Sequence, residues 1–309
     1  LTSPNTFTNW DLEVARCLTT GLIFEAAAHP KPGLVDRVNP LKELDIFRFS
    51  ASATSLYPHF AKAAAFGRRG RLRGCLGPLV FEAVREMLRV QKGGNTHLGA
   101  ILLAMPLAAA AGSLEGRVGT NALRRAAVST VKSMGPSDTL HIFRAIDHVR
   151  PGGLGRVPFL DVTSPETYVY LRRRGVGLLE ALEPYRGRDV VADELLEGFP
   201  LTFDVALKTL SRWREETGSF EKACVNALLS VMACRPDTHI VRRRGVVVAR
   251  IAQSMAEAAL GLGGAYTSEG LKAVLELDRY LRRIDARPGS SADILAASIG
   301  VSLLLGCRV

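Results

Sequence analysis

Residues Leu98 to Leu114 run for 17 positions without a charged side chain. Wound as a helix, the stretch is apolar around its whole circumference, so no face of it suits water. It is shorter than the ~20 residues a membrane-spanning helix needs, and it is rich in alanine. Such a segment has to be surrounded by other elements of the same fold. Ile294 to Cys307 repeats the pattern over 14 residues. The expected fold is all-α: a single compact, multi-helix globular domain of about 12 helices around a buried central helix at 98–111.

The rest of the chain agrees with that frame. Trp10, Val14, Cys17, Leu18, Gly21 and Glu25 share one helical stripe at steps of three and four. Asp11 suits the start of that helix, and His29-Pro30 ends it. Further helices are predicted at about 43–66, 78–91, 98–111, 119–134, 138–149, 165–183, 189–197, 199–216, 219–234, 246–261, 267–284 and 291–306. Only Val246 to Val248 forms a β-branched run. Gly/Pro punctuation falls at Pro30-Lys31-Pro32-Gly33, Gly93-Gly94, Pro151-Gly152-Gly153 and Pro288-Gly289, and none is long enough for a flexible linker. A length of 309 residues allows one large domain or two ordinary ones. The lack of a linker favours one domain over 1–309.

Composition excludes some classes of function. Hydrophobic residues make up 47% and charged residues 23%, which rules out a disordered or fibrous chain. The net charge is +10, and of the 40 basic residues 32 are arginine. Arginine forks carboxylate and phosphate oxygens in pairs, so anionic partners fit, although a solvated basic surface explains the same excess. Nucleic acid is not the expected partner. Aromatics are only 6%, with no stacking platform among the basic residues and no helix-turn-helix signature. Five cysteines with no CxxC pair and no zinc-ligand spacing suggest reduced thiols in a cytoplasmic protein, with a Cys224–Cys234 pairing left open. Leu1 to Asn9 are polar and lack the charged start of a secretory signal. Neither apolar stretch is a membrane anchor.

Four segments can carry chemistry. Glu25 lies on an apolar stripe, and a buried carboxylate must be paired, protonated or metal-bound. The segment from His29 to Arg37 fixes its backbone with two prolines and a glycine and presents Lys31, Gly33, Asp36 and Arg37 together. That set suits a phosphate with a metal; an ordinary helix–helix turn would look the same. Gly94, Asn95, Thr96 and His97 lead directly into the most apolar helix. Free N–H groups at a helix start attract anions, and capping by Asn95 or Thr96 is the plain structural alternative. Gly289, Ser290, Ser291 and Asp293 repeat that arrangement before the last helix, where Asp293 would serve either the helix dipole or a metal. Pro236-Asp237-Thr238-His239 before Arg242, Arg243 and Arg244 is a weaker segment.

Taken together these segments resemble the triphosphoribosyl-dephospho-coenzyme-A synthase family, in particular its divergent archaeal-type branch. The resemblance rests on Glu25 followed by Pro30-Lys31-Pro32-Gly33-Leu34-Val35, on Phe49 and Ser52, on Gly94 to Ile101, on Pro151-Gly152-Gly153-Leu154-Gly155, on Asp237-Thr238 and on Pro288 to Asp293. It spans residues 25 to 293 in order. It implies an all-α enzyme that joins the ribose C1 of ATP to the 2′-hydroxyl of 3′-dephospho-CoA and releases adenine, with Mg²⁺ on the triphosphate. A related ribosyl transferase or N-glycosidic hydrolase acting on another nucleotide is the alternative, since Leu44-Asp45-Ile46 replaces a His-x-Asp-Met block of the bacterial members. The resemblance implies catalytic roles for Glu25, Asp36, His97 and Asp293, with Glu25, Asp36 and Asp293 as metal ligands. Lys31, Gly33, Arg37, Gly94, Asn95, Thr96, Gly289, Ser290 and Ser291 would hold the nucleotide. It leaves the oligomeric state open, a homodimer included. On this reading Glu25→Gln, Asp36→Asn, His97→Ala and Asp293→Asn each cut adenine release from ATP by at least about 100-fold.

Overall fold

The computed structural model describes residues 6–116, 118–154, 157–212, 216 and 218–309. Part of the Leu1 to Asn9 segment, Gly155 of the Pro-Gly-Gly-Leu-Gly segment and part of the helix expected at 199–216 lie outside the described residues. Among those described there are fifteen α-helices and no strand. In chain order they are α1 (Asn9–Ala27), α2 (Ile46–Arg68), α3 (Leu76–Arg89), α4 (Leu98–Ser113), α5 (Thr120–Ser133), α6 (Pro136–Val149), α7 (Pro165–Arg174) and α8 (Leu178–Leu182). They continue with α9 (Val190–Glu197), α10 (Leu207–Ser211), α11 (Phe220–Cys234), α12 (Thr238–Arg244), α13 (Val246–Gly261), α14 (Ser268–Arg283) and α15 (Gly289–Leu304).

The uncharged stretch is α4, and it is enclosed. Ile101, Leu103, Met105, Leu107 and the four alanines 108–111 have no accessible surface. Burying a leucine or isoleucine so completely stabilises the fold by about 1.5–3 kcal/mol before entropy is counted. Helices α2, α15, α5, α1, α3 and α9 pack around it. Small residues set the closest approach. A Cβ on Gly67 of α2 would lie 1.8 Å from the Ala109 carbonyl oxygen, and one on Gly112 would lie 2.0 Å from that of Ala64. The first and last helices meet in the same way, with Gly21 against the backbone of Ala296 and Gly300. One continuous buried core therefore joins the two ends of the chain. A smaller cluster of Phe143, Leu160, Val162, Leu171, Val176 and Ala181 lies beside it.

Three details differ from the sequence expectation. The first helix is capped by Thr8, in a reciprocal box with Asp11 at its third position, so Asp11 is not itself the cap. The helix expected at 165–183 is split, because Gly175 takes a left-handed conformation (φ 66°) that closes α7 and lets α8 start in a new direction. The weak segment at 238–244 is a true helix, α12, capped by the Asp237 side chain on the N–H groups of His239 and Ile240. The split and the added α12 account for the excess over about 12 helices, and a π-helical turn at Leu201–Ala206 precedes α10. No helix among the described residues is long and apolar enough to cross a membrane.

The close crossings make a specific prediction. Gly67→Ala forces α2 away from α4 and should cost about 1–3 kcal/mol or more. Gly119→Ala, with open space around it, should stay within about 0.5 kcal/mol of the parent. Urea unfolding of the two variants compares them directly.

Candidate active site

A cavity of about 370 Å³ opens where the N-termini of α4 and α15 meet the loop after α1, with α6, α9 and α12 closing the other sides. The expected site residues divide between its wall and its scaffold. Glu25, Lys31, Asn95, Thr96, His97, Gly289, Ser290 and Asp293 line it. Gly33, Asp36, Arg37, Gly94 and Ser291 do not.

Glu25 and Lys31 form a buried ion pair in the cavity wall. Burial pushes the Glu25 carboxyl above its usual range, against the opposing pull of Lys31. Lys31 reaches this position because Asp36 shapes its loop. The Asp36 carboxylate accepts hydrogen bonds from the N–H groups of Val38 (2.8 Å) and Asn39 (2.7 Å), from the Asn39 side chain (3.1 Å) and from His29 (2.9 Å). Burial raises its pKa, but those donors outweigh burial and hold it below the usual carboxylate value. With its oxygens occupied by the loop, Asp36 is not placed to ligate a metal beside Glu25. Gly33 (φ 71°) turns the loop and donates its N–H to Asp278 at 2.8 Å. Arg37 pairs with Glu221 outside the cavity, and Glu221 also accepts the His29 N–H.

His97 stands just ahead of α4 with 2% of its surface accessible. Its Nδ1 lies 3.0 Å from the Ser52 hydroxyl, which lies 2.7 Å from that of Thr96. Phe49 packs edge-on against the ring. Nε2 is buried and has no hydrogen-bond partner. Burial, then the charge of Lys31, pushes the His97 pKa down to about 3, so the ring is neutral. Asn95 caps α4 by accepting the Leu98 N–H at 3.0 Å. Asp293 accepts the Ala100 N–H at 2.9 Å, and its other oxygen lies over Gly99, where a Cβ would be 2.1 Å away. Two of the N–H groups expected to bind an anion are thus taken by Asn95 and Asp293. Asp293 is half-buried and lines the cavity. Its pKa is raised well above the ordinary value, first by burial and then by the nearby charges of Glu25, Asp237 and Asp189.

Sequence reasoning missed the cavity's arginine side. Arg150, Arg242, Arg243 and Arg287 line it, along with Asp189 and His239. Arg242 pairs with Asp189, whereas Asp285 is shared by Arg243, Arg244 and Arg287. One carboxylate facing three guanidiniums leaves positive charge for an anionic ligand. The signal was visible as the arginine run after Asp237-Thr238-His239, but only the structure brings that run to Pro288-Gly289. Apolar side chains fill much of the rest of the lining, with Leu102, Phe143, Ile146, Leu154, Tyr185 and Leu195 among them.

Ser291 serves the scaffold. Its N–H and hydroxyl both donate to Asp237, at 2.7 and 2.8 Å. Among the described residues no group of three His, Cys, Asp or Glu side chains is placed to hold a metal unaided. All five cysteines are free.

The Asp36 hydrogen bonds carry a pH dependence. A carboxyl whose folded pKa is depressed contributes stability above its unfolded pKa, near 3.9, and that stability is lost as pH falls through the lower folded value. Asp36→Asn should cost about 1.5 kcal/mol or more at pH 7, and the difference from the parent should shrink below pH 4 in urea titrations.

The profile of the family described as ATP:dephospho-CoA triphosphoribosyl transferase (CitG) matches residues 11–308. A Pseudomonas paraeruginosa protein named "Probable 2-(5''-triphosphoribosyl)-3'-dephosphocoenzyme-A synthase" is 34% identical over 288 residues, covering 90% of this chain and 86% of its own. A Pseudomonas putida protein of the same name is 32% identical over 295 residues, covering 93% and 92%. A structure titled "Crystal structure of putative triphosphoribosyl-dephospho-coA synthase from Archaeoglobus fulgidus" superposes with a TM-score of 0.64 at 26% identity, over 84% of this chain and 99% of that one.

Proposed function

The chain belongs to the family of ATP:dephospho-CoA triphosphoribosyl transferases, and we propose that its cavity joins the ribose C1 of ATP to the 2′-hydroxyl of 3′-dephospho-CoA with release of adenine. One observation supports this placement above the rest. Lys31, the Asn95–His97 segment and Asp293 come from three distant parts of the chain and line one cavity together with four arginines and a set of apolar side chains.

Breaking the ribose–adenine bond develops positive charge on the sugar, as in glycoside hydrolysis. Asp293, with Glu25 close enough to raise its pKa, supplies negative potential where that charge forms. Arg242, Arg243 and Arg287 are the groups suited to the triphosphate oxygens. Neutral His97 serves as a hydrogen-bonding group through its unpartnered Nε2, directed at adenine or ribose. The apolar side chains of the lining suit the pantetheine arm of the acceptor, which carries little charge. Mg²⁺ fits the donor chemistry: hard carboxylate oxygens at Asp293 and Glu25, completed by phosphate oxygens, match its habit of taking one or two protein carboxylates. When bound it would neutralise triphosphate charge. Free thiols together with these two substrates suit a cytoplasmic enzyme.

Incubation with Mg-ATP, with and without dephospho-CoA, tests the reading by following adenine. Adenine that forms only with the acceptor supports transfer. Adenine without it indicates a hydrolase, and none from any nucleotide sinks the proposal. Asp293→Asn should reduce adenine release at least about 100-fold. Because a carboxyl with a raised folded pKa loses stability as pH rises above its unfolded value, the same variant should melt no lower than the parent at pH 7, and higher if burial of the charge dominates.

A further inference from the structure

We propose that His239 is the group that takes the proton from the acceptor hydroxyl, a role that rests on the transferase reading above. His239 sits in the first turn of α12 and lines the cavity. Its Nδ1 lies 2.9 Å from the Arg287 carbonyl oxygen. A carbonyl can only accept, so in the neutral ring the hydrogen is on Nδ1 and the lone pair is on Nε2. Nε2 has no hydrogen-bond partner among the described residues. The ring is held in place by Gly289, where a Cβ would lie 2.8 Å from Nδ1, and by α12 itself, whose start is fixed by Asp237.

The charges around the ring favour its neutral form. Burial lowers the His239 pKa most, and Arg242 and Arg243 of the same helix add to that, against Asp237 and the Arg287 carbonyl. From the neighbouring elements, Asp189 is paired with Arg242, and Asp285 with Arg243 and Arg287. The other polar groups of the cavity are less suited. Glu25 is tied to Lys31, and His97 is pushed to about 3, which makes it a weak base. Asp293 is the carboxylate assigned to the sugar and metal.

The step balances. The hydroxyl proton moves to Nε2 of His239, the oxygen's electron pair forms the new bond to ribose C1, and the C1–nitrogen pair leaves with adenine. Adenine takes up one proton, and His239 returns the one it gained to solvent.

His239→Asn keeps an amide N–H where Nδ1 donates and removes Nε2. It should retain the parent's melting temperature and an ATP KM within about threefold, while transfer slows at least about 100-fold. In the parent, kcat/KM for dephospho-CoA should fall on the acid side of pH 6.5 as the ring protonates, and the variant should lose that limb. His239→Ala should regain turnover when imidazole is added, at least about tenfold over buffer alone. The proposal fails if His239→Asn stays within about fivefold of the parent kcat or keeps the acid limb. Should that variant not fold, absence of imidazole rescue in His239→Ala overturns the proposal. A parent protein that releases no adenine defeats the transferase reading first, which is a distinguishable result.

Discussion

The site depends on one buried carboxylate. Asp237 accepts four hydrogen bonds: from the N–H groups of His239 (2.9 Å) and Ile240 (3.0 Å), and from the N–H and hydroxyl of Ser291. The first pair starts α12 and the second pair starts α15. Its neighbour Thr238 accepts the Val190 N–H at 3.1 Å, which ties in the start of α9, and meets the Ser290 hydroxyl at 3.1 Å. Three helix N-termini from separate parts of the chain are thereby held at one point. Each would otherwise present unpaired N–H groups to a buried space. The negative charge that satisfies them also raises the pKa of Asp293, so the scaffold and the electrostatics of the cavity are not separable.

The cavity divides its charges between parts of its lining. Glu25 and Lys31 neutralise each other, and Asp293 stands in a field of other carboxylates. Towards the loops at 150 and 287, arginines outnumber their partners. Arginine suits that position because a planar guanidinium can exchange a carboxylate partner for a phosphate without changing its geometry. That division matches a ligand whose triphosphate is strongly anionic while its reacting sugar becomes cationic.

What could be read from the sequence followed from what each signal encodes. Helices and the central position of α4 were legible because apolar periodicity reports burial directly. Lys31, His97 and Asp293, which all line the cavity, stood out in the sequence because they sit beside rigid turns or helix starts, where local chemistry is conspicuous. Asp36 closes its own turn and does not line the cavity: a carboxylate within a Pro-Gly loop reads the same in sequence in either case. His239 stood only in a weaker segment, and Arg287 was not singled out as a site residue, for the opposite reason. Their meaning lies in a contact between residues 48 positions apart, and neither segment carries a pattern that names the other. The Gly175 break escaped for a local reason, since Leu171 before it and Leu178, Leu179 and Leu182 after it continue the helical spacing across a single left-handed residue.

The apolar character of α4 also explains where the chemistry sits. A helix whose one side-chain hydroxyl, Ser113, lies at its last residue and donates to the Ala110 carbonyl can take part in polar chemistry only at its ends, where backbone N–H and carbonyl groups remain unpaired. At the C-terminal end the Ala111 carbonyl oxygen accepts from Trp10 at 2.9 Å, close to the Gly112 crossing, which leaves little room for a ligand. At the N-terminal end the N–H groups draw in Asn95 and Asp293, and the positive end of the helix dipole favours the carboxylate. Gly99 has to be glycine for Asp293 to come that close. Asp293 in turn is delivered by the last helix, which reaches this point because Gly21 and Gly300 let it pack tightly on the first. The site therefore lies at the N-terminus of the central helix because that is where the fold leaves polar capacity inside an otherwise apolar core.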